Sequence, residues 1–186
     1  MKDDNSALLW RRERSEQVAD CRVFKVRRDY STSAFDRRVH DFYVIEASDW
    51  INVIPLTKDN EVVLIEQYRH GTEAVSLEIP GGMVDPGEEP SATAARELFE
   101  ETGYEAAEVL FLGKTRPNPA IQNNWIHTFL ARGVEYRQEP ANDGTERTRV
   151  RLVPLGQIPA LIREGVIDHS LVVVGFHWLA LSELRK

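Results

Sequence analysis

At 186 residues the chain has room for one domain with a proper core and too little for two comfortable ones. A net charge of −7 argues against a broad nucleic-acid or anionic-membrane surface, though not against a local basic pocket; 28% charged residues fit a soluble globular protein. Cys21 stands alone, so no internal disulfide can form. The start MKDDNSALLW has no long apolar core behind a basic head, and no run approaches the ~18 apolar residues of a membrane helix. A cytoplasmic protein with neither nucleic acid nor membrane as partner is expected.

In chain order, residues 1–15 are polar and read as a loose arm that Trp10 anchors. Residues 21–26 alternate and predict a strand; a polar turn follows near Tyr30 to Ala34, and residues 38–47 predict a second strand. Residues 50–56 and 61–67 predict a hairpin. The run EVVLIEQYR is the most strand-like of the chain, and its unbroken apolar stretch points to a central place in the sheet. A short strand at 76–79 runs into Pro80-Gly81-Gly82, where glycines let the backbone come close to a ligand. A helix is predicted over 90–102, with Pro90 at its first position and Gly103 as its stop. Further strands are predicted at 107–112, 125–131 and 148–153. A Pro- and Asn-rich loop lies between the first two, and a polar, mobile segment spans 136–145. Residues 158–164 and 170–185 read as helices, the second with Leu171, Val174, Trp178 and Leu181 along one stripe. Strands with few helices imply an α+β protein, a mixed sheet between helices.

The chemistry gathers in the 90–102 helix. At about 100° per residue, Glu97, Glu100 and Glu101 share one face, while Ser91, Ala94, Ala95, Leu98 and Phe99 share another. Three like charges at this spacing weaken a helix. A divalent cation would remove the conflict, and all-oxygen ligands favour magnesium or manganese over zinc. The bland reading is an acidic face turned to solvent. The flanking residues decide against it. Gly82, Glu88, Arg96, Glu97, Glu100, Glu101 and Gly103, with Tyr104 in the last apolar slot, fill every fixed position of a pattern that resembles the Nudix box. Seven fixed residues at about 6% usage each make a chance match of order one in a million. LIEQYR followed by LEIPGG resembles the branch that hydrolyses ADP-ribose and other nucleoside diphosphate sugars.

The resemblance implies an α/β/α sandwich with a mixed sheet and an N-terminal antiparallel β-extension. It divides the chain at 1–45, the extension, and 46–186, the hydrolase domain. It implies Mg²⁺, which Mn²⁺ can replace, held by Glu97, Glu101, Glu100 and the Gly81 carbonyl. It makes Arg96 the residue that orients a glutamate and Glu88 a neighbour in the loop before the helix. Arg69 then contacts phosphate and Glu78 lies beside the metal. The general base is expected among Glu139, Asp143 and Glu146, with Glu146 resembling the family's loop glutamate. Trp50 is read either as a core residue or as a stack for the base, and Asn123 either as a turn residue or as a reader of the sugar or base. The extension implies a homodimer. The expected reaction splits ADP-ribose or GDP-mannose into a nucleoside monophosphate and a sugar phosphate. A departure keeps the second substrate close: Pro119-Ala120 and Asn123-Asn124 stand where ADP-ribose hydrolases tend to have Pro-Gly and then Glu. The competing functions are hydrolysis of another nucleotide and a non-catalytic sensor. Gly113-Lys114-Thr115 lacks the first glycine of a P-loop, and five histidines show no zinc pattern.

Overall fold

The computed structural model describes residues 6–141 and 147–183, and the chain divides into two units, Met1–Ser48 with Arg116–Asn124 and Asp49–Thr115 with Trp125–Lys186. The first unit is a three-stranded antiparallel sheet of β1 (Trp10–Asp20), β2 (Lys25–Ser33) and β3 (Val39–Glu46), in that order. Residues 10–15 are therefore strand, not a loose arm, and Tyr30 to Ser33 belong to β2 rather than to a turn. Apolar periodicity could not show this, because β1 is held by polar cross-strand pairs. The Arg14 guanidinium lies 3.4 Å over the Tyr30 ring, the Tyr30 hydroxyl donates to Glu16 at 2.8 Å, and the Thr32 hydroxyl donates to Glu13 at 2.6 Å. Asp29 is buried and accepts from the Ser15 hydroxyl and from Arg27. The 116–124 loop joins β3 through the Ile45 N–H, which donates to Ile121 O at 2.7 Å.

The second unit is built on a mixed sheet in which β12 (Thr148–Pro154), β5 (Glu61–Arg69), β4 (Trp50–Leu56), β10 (Ile126–Arg132) and β9 (Glu108–Thr115) lie side by side. Two short strands complete it: β6 (Ala74–Glu78) pairs with β5, and β7 (Gly81–Met83) with β4. Among the described strands of this sheet only β4 and β10 pair in parallel, over Trp50–Leu56 and Ile126–Arg132. Strand β5 lies inside the sheet but next to the edge strand β12, with β4 in the middle; its apolar run reflects residues 62–65, which are all buried. Two-residue strands β8 (Tyr104–Glu105) and β11 (Glu135–Tyr136) form a separate ribbon, so the start of the segment read as mobile is paired.

Alternation along the strands feeds two cores. Ile51, Val53, Val63, Phe129 and Ala131 face α1 (Pro90–Thr102) and pack with Ala94 and Leu98. Ile54, Val62, Leu64 and Leu130 face the other way. They pack with Ile158 of α2 (Ile158–Arg163) and with Val172, Phe176 and Leu179 of α3 (Ser170–Glu183). The result is an α/β/α layering, as the resemblance implies. In α3 the buried stripe is Val172, Gly175, Phe176 and Leu179, one position away from the stripe read in the sequence. That helix is apolar nearly all round, so its period does not select a face. Packing does: a Cβ at Gly175 would sit 3.1 Å from Ile79 Cδ1, so the helix comes closest to the sheet there. Trp178 covers Gly113 of β9, where a Cβ would lie 2.6 Å from the indole. Among the described residues no helix is long and apolar enough to cross a membrane.

Candidate active site

The site is built where β7 leads through a loop into α1. Glu89 precedes the helix without a side-chain cap, Pro90 opens it, and Gly103 ends it in the left-handed region at φ 72°. The buried face of α1 is Thr93, Ala94, Leu98, Glu101 and Thr102, while Ser91 and Ala95 are exposed. The helix is thus rolled toward its acids relative to the wheel drawn from sequence. Two of the three glutamates are tucked against the sheet: the Glu97 side chain is 13% exposed and Glu101 9%, whereas the Glu100 side chain is 48% exposed. An acidic face simply turned to solvent is not what the fold contains.

One cation holds the face together. Arg96 Nη1 donates to Glu97 Oε1 at 2.9 Å and to Glu100 Oε2 at 3.0 Å. Its Nε and Nη2 donate to the two oxygens of Glu88 at 3.2 and 3.1 Å. The Thr93 hydroxyl adds a bond to Glu88 Oε2 at 2.8 Å. Hydrogen bonds from Arg96, then from Thr93, hold the Glu88 carboxyl down at about 2, and Glu88 in turn raises the guanidinium of Arg96. The repulsion that the sequence poses is therefore relieved partly from within the protein. Thr93 escaped the sequence reading, although it falls on the acidic side of the wheel.

The strand side supplies the rest. Glu101 Oε2 accepts from the Gly81 N–H at 2.9 Å. Gly82 is a cradle: a Cβ there would occupy the place of the Glu97 carboxylate. Gly81 pairs with Asn52 and Gly82 with Ile51 of β4. At the end of β6, Glu78 is almost fully buried, and Arg69 grips it with Nε and Nη2, each at 2.7 Å. Burial pushes the Glu78 carboxyl up, and the Arg69 bonds outweigh it, leaving the group below its ordinary value. Arg69 itself is partly exposed.

The structure brings Gly81, Gly82, Glu88, Arg96, Glu97, Glu100 and Glu101 into one cluster and joins Arg69 to Glu78. Trp50 is half-buried on β4, opposite Met83 and Ile126. Asn123 is tied within the first unit: its side-chain oxygen accepts from the Ala47 N–H at 3.3 Å, just past β3, and its carbonyl from Arg116 of its own loop at 3.2 Å. Glu139 is exposed and accepts from the Tyr136 hydroxyl at 2.8 Å. Asp143 and Glu146 lie outside the described residues. Sequence reading also passed over a pair beside Trp50. Asp49 accepts from the Trp125 N–H at 2.9 Å and lies 3.0 Å from His127 Nε2, and the Lys114 ammonium sits 4.6 Å over the Trp125 ring.

The donor chemistry suits a hard divalent cation, with carboxylate and carbonyl oxygens and neither His nor Cys. As the side chains stand, Arg96 and the Gly81 N–H occupy the carboxylates, and among the described residues no three acidic, His or Cys side chains gather tightly enough to hold an ion.

A NUDIX domain model matches residues 50–173. The chain is 30% identical to the methanol dehydrogenase activator of Bacillus methanolicus over 174 residues, covering 93% of this chain and 94% of that protein. It is 29% identical to the ADP-ribose pyrophosphatase of Bacillus subtilis (strain 168), covering 72% of each. Among solved structures, that of an ADP compounds hydrolase has a TM-score of 0.81 at 23% identity, covering 92% of each chain, which is a likeness of fold. The box read in the sequence folds as strand, loop and helix, with Glu88, Glu97 and Glu100 gathered round Arg96 and Glu101 set on the Gly81 strand, and the matched domain takes in that whole segment: the chain belongs to the Nudix family of hydrolases.

Proposed function

We propose that the protein hydrolyses the diphosphate bond of a nucleoside diphosphate sugar, ADP-ribose or GDP-mannose, to a nucleoside monophosphate and a sugar phosphate. The observation that carries this is the largely covered glutamate pair, Glu97 and Glu101, set against Gly81 and Gly82. The name of the Bacillus subtilis relative supports ADP-ribose. The Pro119-Ala120 and Asn123-Asn124 departure keeps GDP-mannose beside it.

Glu97, Glu100, Glu101 and the Gly81 carbonyl would hold Mg²⁺ or Mn²⁺. The ion, when bound, would neutralise phosphate charge and lower the pKa of a water. Arg96 keeps Glu97 and Glu100 on one side of the helix and offsets their charge. Arg69, held flat by Glu78, presents a planar fork suited to two phosphate oxygens. Trp50 is assigned to the base as a stacking surface, and Asn123 is a separate proposal as a reader of sugar or base.

The direct test is incubation of the protein and Mg²⁺ with ADP-ribose, GDP-mannose, UDP-glucose and NADH, followed by chromatography. Expected products are a monophosphate and a sugar phosphate with no inorganic phosphate. If none is cleaved while a nucleoside triphosphate releases pyrophosphate, the sugar-diphosphate reading is wrong. A second reading comes from the relative that spans nearly the whole chain and is named an activator. A protein acting only in that way would leave every compound of the panel intact.

Glu146 is proposed as general base, because it stands just before β12 as the family's loop glutamate does. A Glu146→Gln enzyme should lose about 10²-fold or more in rate and the acidic limb that a carboxylate base controls, the fall in rate as it takes up a proton. An unchanged pH–rate profile rules it out in favour of Glu139 or Asp143.

Residues 1–45 are proposed to join two copies of the chain, with 46–186 as the hydrolase domain. Trp10, Val39, Phe42 and Tyr43 are exposed on the N-terminal strands, a large apolar area for so small a sheet. Sedimentation at micromolar concentration should give a dimer mass; a monomer mass refutes it.

A further inference from the structure

The last carbonyls of an α-helix find no partner within the helix. In α1 the chain nearby serves one of the terminal group, since the Gly103 N–H reaches Phe99 O at 2.8 Å; the Thr102 hydroxyl folds back one residue earlier, onto Leu98 O. The carbonyls of Glu100 and Glu101 go to a distant segment. The Ala141 N–H donates to Glu100 O at 2.8 Å, and the Thr148 hydroxyl donates to Glu101 O at 2.7 Å. Thus two successive residues of the acidic face are tied through their backbones, one on each side of residues 142–146.

The two ties differ in kind. Ala141 uses its backbone, which almost any residue there would provide. Thr148 uses its side chain, so that tie is specified by the sequence. Thr148 begins β12, whose pairing with β5 runs from Thr148 opposite Gln67 to Pro154 opposite Glu61. Its branched side chain is stiff. A donor on a paired strand with few rotamers fixes what it holds.

We infer that Thr148 is a positioning residue for Glu101, setting the last turn of α1 so that the carboxylate meets the Gly81 strand. Glu101 is then pinned at both ends, its carbonyl by Thr148 and its carboxylate by the Gly81 N–H. Without the hydroxyl, the Glu101 carbonyl must turn toward another donor. The turn moves with it, and the carboxylate leaves its place. This rests on the reading that Glu101 holds the cation.

The test uses the full chain and three variants, Thr148→Val, Thr148→Ser and Glu101→Gln. Mn²⁺ binding is followed by electron paramagnetic resonance, alongside kcat, KM and thermal midpoint. Valine keeps the branched shape and suits a strand, so β12 should hold. Partners of metal ligands typically set affinity by 10–100-fold; Thr148→Val is therefore expected to weaken Mn²⁺ binding by about 10-fold and to lower kcat by a similar factor, with KM within about twofold. Thr148→Ser, which restores the donor, should recover most of the loss. Wild-type Mn²⁺ affinity in Thr148→Val overturns the inference, and so does a serine variant as poor as the valine one. If Glu101→Gln loses Mn²⁺ while Thr148→Val does not, the tie alone fails. If Glu101→Gln binds Mn²⁺ as the wild type does, the metal reading fails and takes this inference with it.

Discussion

Glu97→Gln and Glu101→Gln enzymes are expected to lose about 10³-fold or more in kcat with Mg²⁺ while remaining folded. Glutamine keeps the length and the hydrogen-bonding oxygen of glutamate and removes its charge. At Glu101 the Gly81 N–H still finds an acceptor, so the contact that joins helix to strand survives. At Glu97 the bond to Arg96 weakens, but Glu88 and Glu100 still hold that guanidinium with three bonds between them. Neither change opens a cavity. What goes is the negative charge that a divalent cation needs, and a hard cation prefers a charged carboxylate to a neutral amide. The measurement is steady-state turnover against the proposed nucleotide sugars, with thermal midpoints to show that the fold is kept. Near-normal kcat in both variants would remove Glu97 and Glu101 from the site.

Gly82→Ala should cost about 10²-fold in kcat with little change in thermal midpoint, since a misplacement near 1 Å at the reacting groups is worth that much. Gly82 is not among the glycines with positive φ, so alanine can adopt its backbone conformation. The conflict is one of space: the new methyl would stand where the Glu97 carboxylate now lies. A carboxylate at the end of a flexible side chain can move aside, which spares the fold and displaces the ligand. Gly81 gives the contrasting case. A Cβ there would meet the Ile51 carbonyl of β4, a backbone atom that cannot yield without disturbing the strand pair. Gly81→Ala is therefore expected to lower stability, and Gly82→Ala to lower rate. Equal thermal losses in the two variants would show that Gly82 serves the strand and not Glu97.

The acidic helix, its proline start and its glycine stop were legible because each rests on local chemistry: fixed φ at Pro90, a left-handed turn at Gly103, and i, i+3, i+4 spacing of the glutamates. Strands β4, β5, β10 and β12 were legible for a similar reason, since burial on one or both faces writes itself as apolar residues. The N-terminal sheet was not. Strand β1, WRRERSEQVAD, carries no apolar alternation, and only its partners Asp29, Tyr30 and Thr32 make it a strand. Helix α3 failed in the opposite way, with too many apolar residues for the period to choose a face.

The sequence alone determined which residues carry the chemistry and that they lie on one helical face, because the spacing of glutamates along a helix is a property of the chain. Tertiary structure decided how deep that face lies. The sheet rolls α1 so that Glu97 and Glu101 are nearly covered and Glu100 is left out, and the roll depends on Ile51, Val53 and Phe129 from strands remote in sequence. It also decided who steadies the acids. Arg96 and Glu88 lie near them in the chain, but the Gly81 N–H and the Thr148 hydroxyl reach Glu101 only because β7 and β12 are paired into the same sheet. A hydrogen bond between groups so far apart in sequence depends on the whole fold to bring donor and acceptor within 3 Å of each other, and no local pattern of residues records it.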